Sequence, residues 1–430
     1  MLLLHGTIIT MDPKRRVITD GGIAILGKNI IAVNTAEHIK QQYQAPEIIE
    51  VPGHAVLPGF INGHVHGAMS LLRGTADDLP LELWLKDAIF PLEAALMSDD
   101  FVHTGTELAI LEMMRGGITT AVDMYHLEDA AARACADYGM RALVGYTITD
   151  QPQRLLEAET FVARWKGHPY IRPVLAPHSL YVVPEQILHS TRDMAEAWHV
   201  PLMMHFAETA SEVKTLRMRY GLTPRQLLVR NELLAHQMIL AHAVHISEDD
   251  MTFLAQYPIG IIHCPVSNMK LASGVAPLAT MLAQGMNVGL GTDSAASNNT
   301  LNMFAEMKTA ALLQSVTTGN AAALNAHTAL ELATIRGAQA LHAEKYIGSI
   351  EEGKFADIIT VSLDGIHQLP AYDIPSTLVY ASYPSDVEHV IINGIVKLRA
   401  GKLCIDEHLM NQCMRKIAAY RAKISQLIKK

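Results

Sequence analysis

The chain has 430 residues, of which 50% are apolar and 6% aromatic, and its formal net charge at pH 7 is -9. An acidic chain without a basic patch does not fit nucleic-acid binding. No apolar run approaches the roughly 20 residues that a membrane span requires. The length suits a barrel domain of about 250 to 300 residues together with a smaller domain.

The start of the chain and its cysteines indicate the compartment. The first residues, Met-Leu-Leu-Leu-His-Gly, are apolar but lack the basic region and the cleavage site of a secretory signal. Four cysteines in so long a chain, with no Cys-x-x-Cys spacing, are not a disulfide framework. They are Cys135, Cys264, Cys404 and Cys413. We therefore predict reduced thiols and a cytoplasmic protein.

Both ends of the chain carry short β-branched runs separated by turn signals. Near the start the runs cover residues 6–10, 22–26 and 29–33, and near the end they cover 356–361 and 387–397. A lone hairpin is marginally stable, so the two ends are expected to complete one another. We predict one small composite β-sandwich domain, built from antiparallel strands of residues 1–57 and 356–430 and closed by a helix from about Asp406 onward.

The intervening residues, 58–355, alternate between strand-like and helix-like segments. Eight apolar runs are each followed by a segment of helical periodicity, and the runs cover residues 55–61, 119–124, 142–148, 171–176, 201–206, 238–243, 260–264 and 287–291. Helices such as 99–115 and 184–198 begin with the Asp or Pro that helix N-termini favour. The alternation predicts an all-parallel sheet closed into a (β/α)8 TIM barrel.

Polar residues fall at the carboxyl ends of several predicted strands, where the chemistry of such barrels takes place. They are His64, His66, His178, His205, Glu208, His242 and Asp293. Residues i and i+2 of a strand share a face, so His64 and His66 can converge on one point. Histidines that only pack in a core would have no reason to choose the same end of strand after strand.

Three imidazoles and one carboxylate suit a catalytic site for zinc or another divalent first-row ion, with a position left for water. We predict His64, His66, His205 and Asp293 as the ligands of one ion, most readily Zn2+, with Fe2+ or Mn2+ as alternatives. Two-metal barrels bridge their ions with a modified lysine on the fourth strand, and here the nearest lysine, Lys166, lies upstream of it. Two further histidines near strand ends, His245 and His263, are interpreted as structural.

Four segments carry a resemblance to the amidohydrolase superfamily, and within it to the methylthioadenosine/S-adenosylhomocysteine deaminases and the related triazine hydrolases. They are Pro-Gly-Phe-Ile-Asn-Gly-His-Val-His at 58–66, His-Phe-Ala-Glu at 205–208, His-Cys-Pro-Val-Ser-Asn at 263–268 and Gly-Thr-Asp-Ser-Ala-Ala-Ser-Asn at 291–298. The resemblance extends over essentially the whole chain, including the split terminal sheet.

The site residues and the resemblance together imply a hydrolytic deamination. A divalent ion lowers the pKa of its water to near neutrality, and Asp293 is placed to accept the proton. Glu208 would protonate the ring nitrogen beside the attacked carbon and shuttle protons to the leaving ammonia. The alternative for Glu208 is a surface carboxylate that opens the next helix. The resemblance also implies that His242 orients the attacking oxygen or steadies the tetrahedral intermediate.

The segment from Leu71 to Glu93 resembles the nucleoside-recognising loop of the adenosine-analogue deaminases. In that family the carboxylate at the Glu93 position holds the ribose hydroxyls, and the histidine at the His178 position contacts the purine. A carboxylate can accept from two vicinal hydroxyls at once. Trp84 offers a flat apolar wall to the ligand, or packs under the loop.

The chain departs from the family at one position. After Gly-Met-Arg-Ala-Leu, better-known members carry an arginine that meets the tail of the substrate, whereas this chain has Gly145-Tyr146. Arg154, in the following loop, is the remaining candidate to approach a carboxylate tail. Methylthioadenosine or adenosine would need no such arginine.

Three functions follow as hypotheses. The first is a metal-dependent deaminase that converts the 6-amino group of 5′-methylthioadenosine, S-adenosylhomocysteine or adenosine to the inosine analogue and ammonia. The second is an aminohydrolase or chlorohydrolase of another N-heterocycle, such as a triazine, a pterin or an oxidised purine. The third is a binding protein on a retained barrel. The expected partners are a small-molecule substrate and further copies of the chain, as a dimer or tetramer, with no nucleic acid and no membrane.

Overall fold

Two eight-stranded sheets organise the described residues, 1–428, of the computed structural model. The strands are β1 (Leu2–Ile9), β2 (Val17–Leu26), β3 (Asn29–Thr35), β4 (Glu47–Pro58), β5 (Phe60–Val65), β6 (Ile118–Tyr125), β7 (Arg141–Ile148), β8 (Ile171–Pro177), β9 (Leu202–Phe206), β10 (Met238–His242), β11 (Ile259–His263), β12 (Asn287–Leu290), β13 (Ile358–Ser362), β14 (Val387–Ile392), β15 (Ile395–Arg399) and β16 (Lys402–Leu403).

The helices follow the same chain order. They are α1 (Ala36–Gln42), α2 (Leu81–Leu83), α3 (Phe90–Leu96), α4 (Asp99–Arg115), α5 (Glu128–Tyr138), α6 (Gln153–Trp165), α7 (Glu185–Trp198), α8 (Ala210–Tyr220), α9 (Pro224–Arg230), α10 (Glu248–Leu254), α11 (Pro265–Lys270), α12 (Leu278–Ala283), α13 (Ala295–Asn298), α14 (Met303–Thr318), α15 (Ala326–Leu332), α16 (Ile335–Ala340), α17 (Ile374–Tyr380) and α18 (Glu407–Leu427). A π-helical turn, Trp84–Ile89, joins α2 to α3. The predicted helices 99–115 and 184–198 are confirmed by α4 and α7.

Strands from both termini form the first sheet, in the order β16-β15-β14-β13-β4-β1-β2-β3. The junction between the two ends of the chain is the antiparallel pair of β13 with β4. The predicted composite domain is therefore confirmed. The prediction of an antiparallel sheet is wrong for one pair, because β1 and β4 run parallel.

This sheet folds over its own apolar face. Its buried core joins Ile23 and Ile30, near one end of the sheet, to Ile358 and Ile391, nearer the other. The two halves of the sheet are also joined by backbone hydrogen bonds, because the Ala356 amide, just before β13, donates to the Lys28 carbonyl between β2 and β3 at 2.8 Å. A core enclosed between two halves of one sheet is the packing predicted for the β-sandwich.

The second sheet holds the barrel strands in chain order, from β5 to β12. Every pair from β7 to β12 is parallel, with helices between successive strands. Beyond β12, the Asp293 amide donates to the His64 carbonyl at 3.0 Å, which returns the last strand to the first. The predicted (β/α)8 barrel is confirmed.

The first barrel strand differs from its prediction. The expected strand, 55–61, is divided at Gly59 between β4 of the first sheet and β5 of the barrel. Any side chain at position 59 would meet the Thr119 side chain at 2.1 Å, so the crossing requires glycine. The apolar run is continuous on both sides of Pro58-Gly59, which is why hydrophobicity alone does not locate the break.

Contacts divide the chain into two compact units. One contains residues 1–62, 111–120 and 302–406, and the other contains 63–110, 121–301 and the segment from Glu407 onward. The domain boundaries 1–57, 58–355 and 356–430 stay a prediction, and residues 429 and 430 lie outside the described part of the chain.

The predicted C-terminal helix is confirmed as α18. It was expected to close the composite domain, but its contacts lie in the second unit. Asp100 of α4 accepts hydrogen bonds from Lys416 at 2.6 Å and Tyr420 at 3.0 Å. Ile424 joins the apolar cluster of Leu72 and Phe101. The apolar face of the helix therefore determines where it packs.

Two predictions of absence concern disulfides and membrane spans. None of the four cysteines, all within the described residues, forms a disulfide, and Cys135, Cys264 and Cys413 are buried. No helix among residues 1–428 has the length and apolar character to cross a bilayer.

The buried position of Ile358 in β13 gives a test of the composite sheet. Ile358 is 0% exposed, so Ile358→Ala should lower the free energy of unfolding by about 2–5 kcal/mol through lost burial and a cavity. Ile366→Ala is the matched control, because Ile366 is 94% exposed, and it should change stability by less than about 0.5 kcal/mol. Chemical denaturation measures both variants. Equal effects would contradict the assignment of Ile358 to the core.

Candidate metal centre and cavity

Five side chains converge at the carboxyl ends of the barrel strands. Two groups of three residues could each hold a metal ion, because the ligand atoms within each group lie within 4.8 Å of one another. The groups are His64, His66 and Asp293, and His64, His205 and His242. The structure thus brings together the four predicted ligands and places His242 beside them. Proximity alone does not decide which of the five would hold an ion.

The hydrogen bonds of His66 indicate that a cation fits between these groups. Its Nδ1 faces the Met124 carbonyl, so a neutral His66 ring carries its hydrogen there. The Nε2 lone pair then points at Asp293 Oδ1, 3.2 Å away. A lone pair and a carboxylate oxygen repel each other unless a cation lies between them.

His64 and His205 support the same conclusion. His64 is 0% exposed, and neither of its ring nitrogens has a hydrogen-bond partner among the described residues. Burying an unpaired polar group is costly, and a metal ion would satisfy it. His205 Nδ1 donates to the His178 carbonyl at 3.0 Å, which leaves its Nε2 lone pair for a ligand bond.

Two serines orient the Asp293 carboxylate. Ser267 and Ser297 donate to its Oδ2, at 2.6 and 2.9 Å, so Oδ1 is the oxygen that faces the histidines. Burial opposes ionisation of Asp293, but the surrounding imidazoles, His66 foremost, hold its pKa well below the usual value. The backbone at Asp293 is left-handed, with φ 59°. Such strain persists where the surrounding structure fixes it, as at a functional site.

Glu208 lies beside His242, near its Nε2 atom. Its Oε2 is 3.8 Å from His242 Nε2, and its Oε1 accepts from the Ser273 hydroxyl at 3.2 Å. Burial raises the pKa of Glu208 above the ordinary value. A carboxyl group in this state can give and take a proton near neutral pH.

Glu212 is not predicted as a site residue from the sequence, but its carboxylate stabilises the turn that carries Glu208. Its carboxylate accepts from the backbone amides of Ala207 and Glu208, at 3.0 and 2.8 Å. Ala207 is left-handed, with φ 48°, so these bonds fix the bend that aims Glu208. Burial raises the pKa of Glu212 to about 7. In the sequence, Glu212 has the position of an ordinary first-turn acidic residue, which gives no functional signal.

Four of the five side chains, all except His64, line a cavity of about 1150 Å³, a volume that includes space open to solvent. Glu93, His178 and Trp84 line it, as do Glu208 and Asp293. The apolar side chains of Leu81, Leu85, Ile89 and Phe90 also line it. The cavity therefore offers both polar and apolar surface to a ligand.

Glu93 and His178 both face this cavity, and each has a polar contact beside it. The Tyr125 hydroxyl donates to Glu93 Oε1, and burial raises the pKa of Glu93. Tyr125, at the end of β6, was not singled out in the sequence because an aromatic strand residue usually packs in the core. Burial lowers the pKa of His178 to about 4, so the ring is neutral, and its Nδ1 contacts the Ser179 hydroxyl at 3.2 Å.

Trp84 packs under the loop and also faces the cavity, and its contact with a ligand stays a prediction. It is 5% exposed and packs in the apolar cluster of Leu92 and Phe101, yet it also lines the cavity. The indole Nε1 has no hydrogen-bond partner among the described residues.

Arg154 does not line the cavity. Its guanidinium donates to Glu128 at 2.5 Å and to the Thr147 carbonyl at 2.8 Å, and it lies 4.3 Å from the centre of the Tyr146 ring. No lysine or arginine is found among the cavity-lining residues of the described chain. The structure therefore does not place Arg154 where it could meet a substrate tail.

The two histidines interpreted as structural stay outside the ligand sets of the described chain. His245 Nε2 bonds the Ser273 carbonyl at 2.7 Å. His263 is 0% exposed, and burial lowers its pKa to about 3.

Comparisons with known proteins agree with this arrangement. Residues 55–396 match the Amidohydrolase family. The chain is 42% identical over 402 residues to a 5-methylthioadenosine/S-adenosylhomocysteine deaminase of Syntrophobacter fumaroxidans, with 92% of each chain covered. It is 38% identical over 409 residues to the protein of that name from Pyrococcus furiosus, with 93% and 94% covered.

Two solved structures are similar to this chain over nearly its whole length. An adenosine deaminase from Xanthomonas campestris with bound zinc superposes with a TM-score of 0.96 at 35% identity, covering 99% of this chain and 98% of that one. Atrazine chlorohydrolase from Arthrobacter aurescens, complexed with zinc, gives a TM-score of 0.91 at 23% identity, covering 98% and 100%. At that identity the second likeness shows the fold alone.

The ligand assignment can be tested with two neighbouring histidines. His66→Asn should lose most of the bound metal, because it removes a predicted ligand. His178→Asn is the matched control, since its ring centre lies 4.7 Å from that of His205 but the His178 carbonyl that holds His205 is retained. Metal content per chain, measured after dialysis, reports both. Retention of a full equivalent by His66→Asn would contradict the assignment.

Proposed function

The chain belongs to the amidohydrolase family, and from that premise we propose that it is a divalent-metal-dependent deaminase of adenosine and 5′-modified adenosines. The reaction would convert the 6-amino group to a carbonyl and release ammonia. One observation carries the proposal: three of the four assigned ligands, His66, His205 and Asp293, line a single cavity together with the carboxyl groups of Glu208 and Glu93. Relatives with deaminase names, 42% and 38% identical over most of the chain, support it.

We assign His64, His66, His205 and Asp293 as the ligands of one ion. Zinc is the proposed metal, because it accepts this mixture of nitrogen and oxygen ligands and is present in the related Xanthomonas structure. Iron or manganese would accept the same ligands. When bound, the ion supplies Lewis-acid activation of a water molecule.

The two carboxylates divide the proton transfers. Asp293, ionised and held by two serines, accepts the proton of the attacking water. Glu208, whose pKa is raised by burial, donates its proton to the ring nitrogen beside the attacked carbon. It then takes the hydroxyl proton of the tetrahedral intermediate and delivers it to the amino group, which leaves as ammonia. The proton that Asp293 took from the water restores Glu208, so both carboxyl groups return to their starting states. His242, 3.8 Å from Glu208, steadies the developing oxyanion by donating a hydrogen bond.

Glu93, His178 and Trp84 are proposed to recognise the nucleoside. The Tyr125 hydroxyl occupies Oε1 of Glu93, which leaves Oε2 for the ribose hydroxyls. The neutral His178 ring can donate or accept at the purine edge. Trp84 supplies a flat apolar wall beside them.

The proposals that the chain acts in the cytoplasm and assembles as a homo-oligomer rest on the sequence and the family resemblance alone. The substrate proposal is independent of both.

Replacing Glu208 tests the proton transfers. Glu208→Gln should lower kcat for ammonia release from adenosine and methylthioadenosine by about 10²–10⁴-fold, because the amide cannot transfer the proton. Bound metal should be unchanged, since Glu208 is not an assigned ligand. Glu82→Gln is the control, as it makes the same change at an exposed position on the cavity wall.

Two results would oppose this proposal. Full activity of Glu208→Gln would exclude its proton role. Failure of the metal-loaded parent to release ammonia from adenosine, methylthioadenosine and S-adenosylhomocysteine would exclude the function itself.

The composition of the cavity wall predicts selectivity for the substrate tail. No cation of the described chain lines the cavity, so the carboxylate of S-adenosylhomocysteine would be desolvated without a partner. We expect kcat/KM for methylthioadenosine to exceed that for S-adenosylhomocysteine by about tenfold or more, equivalent to about 1.4 kcal/mol. Steady-state kinetics with both substrates measure the ratio.

A charge reversal sharpens this test. Glu82→Arg would place a guanidinium on the cavity wall and should narrow the preference for methylthioadenosine. Asp87→Arg makes a comparable change at an exposed residue outside the wall and should leave the preference unchanged. Equal turnover of the two substrates by the parent chain would contradict the prediction.

A further inference from the structure

His242 lies close enough to His64 and His205 to be a fifth metal ligand. One nitrogen of each ring falls within the 4.8 Å limit for a shared ion. The alternative is that His242 donates a hydrogen bond into the site. The two roles require opposite tautomers, because a ring nitrogen that carries hydrogen has no lone pair for a metal.

The Nδ1 side of His242 faces a donor. Asn268 Nδ2 lies 3.1 Å from His242 Nδ1, and both residues are buried. An amide nitrogen can only donate, so Nδ1 must accept, and a neutral ring then carries its hydrogen on Nε2. The Oδ1 of Asn268 has no hydrogen-bond partner within residues 1–428, so this side-chain amide is not engaged elsewhere through its oxygen.

The Nε2 side of His242 faces the carboxyl group of Glu208, whose Oε2 is 3.8 Å away, beyond hydrogen-bond distance. The tautomer of His242 therefore rests on the Asn268 contact alone. The opposite pattern holds for the assigned ligands His66 and His205, whose Nδ1 atoms face backbone carbonyls. Their hydrogens are on Nδ1 and their Nε2 lone pairs point inward.

We propose that Asn268 is a positioning residue that selects the Nε2–H tautomer of His242. This selection keeps His242 out of the coordination shell and directs a hydrogen-bond donor toward the reaction centre. The neighbouring residue, Ser267, orients Asp293 from the same short helix, α11. The six-residue segment from His263 to Asn268 would thus set the state of two groups without contacting the substrate.

The tautomer selection rests on the proposed metal site, and its test is the substitution Asn268→Asp. A carboxylate accepts from Nδ1–H, which moves the ring hydrogen away from Nε2 and offers its lone pair to the metal. We expect kcat to fall by about 10²-fold or more with little change in KM. We also expect the visible spectrum of the Co2+-loaded protein to change, because these bands depend on coordination number.

A second substitution separates tautomer selection from packing. Asn268→Leu keeps the volume but removes the donor without imposing the other tautomer. It should lower kcat less than Asn268→Asp does and leave the Co2+ spectrum close to that of the parent. A merely structural role for Asn268 would instead lower the melting temperature in both variants with no difference between their spectra.

Asn231→Asp is the matched control for burying a carboxylate. Asn231 is 1% exposed, its Nδ2 makes one hydrogen bond, to the Leu227 carbonyl, and its Oδ1 is also unpaired within residues 1–428. It does not line the cavity. Its substitution should leave kcat and the Co2+ spectrum unchanged.

The closing experiment repeats Asn268→Asp in a His242→Asn background. If Asn268 acts through His242, the spectral change should disappear in that background. A spectrum of Asn268→Asp identical to the parent's, or a spectral change that persists without His242, would overturn the proposal. The spectra need no substrate, so failure of the nucleoside proposal would leave this result readable.

Discussion

The site depends on one constraint: a buried imidazole has two nitrogens and, when neutral, one hydrogen. Whatever bonds the outer nitrogen decides what the inner nitrogen offers. Backbone carbonyls behind His66 and His205 make these rings inward-facing acceptors, suited to a metal ion. An amide donor behind His242 makes that ring an inward-facing donor. Chemically identical side chains thus acquire different functions from the atom that lies behind each of them.

The same principle separates the two carboxylates. Asp293 receives two serine hydroxyls and faces several imidazoles, which together outweigh burial and keep it ionised. Glu208 is also buried, but fewer groups compensate it, so its pKa rises. Two carboxyl groups whose environments push their pKa values apart can act as base and acid at one pH. The hydrogen bonds that Glu212 accepts from the backbone amides of Ala207 and Glu208 fix the turn that carries Glu208.

The sequence predicts residues whose position follows from a strand's end. His64 and His66 can be predicted because alternate residues of a strand share a face, and His205 and Asp293 can be predicted because parallel strands end at one edge of the sheet. The roles of Glu212, Tyr125 and Asn268 cannot be predicted in this way. Each of them contacts a partner that only the tertiary structure brings close, and each residue type has a commoner structural use. The break at Gly59 was hidden for a related reason. Only its contact with Thr119 shows that the chain leaves one sheet for another.

Arg154 is held by groups of its own fold and is not among the cavity-lining residues. A guanidinium near a cavity is expected to meet an anionic tail, yet here Glu128 and the Thr147 carbonyl hold it. Glu128 is 2% exposed, so releasing Arg154 would leave a buried carboxylate without its cationic partner. Leu81 and Phe90 line the cavity from the segment between β5 and β6, whereas the predicted metal ligands lie at strand ends, so the two parts of the lining can vary separately.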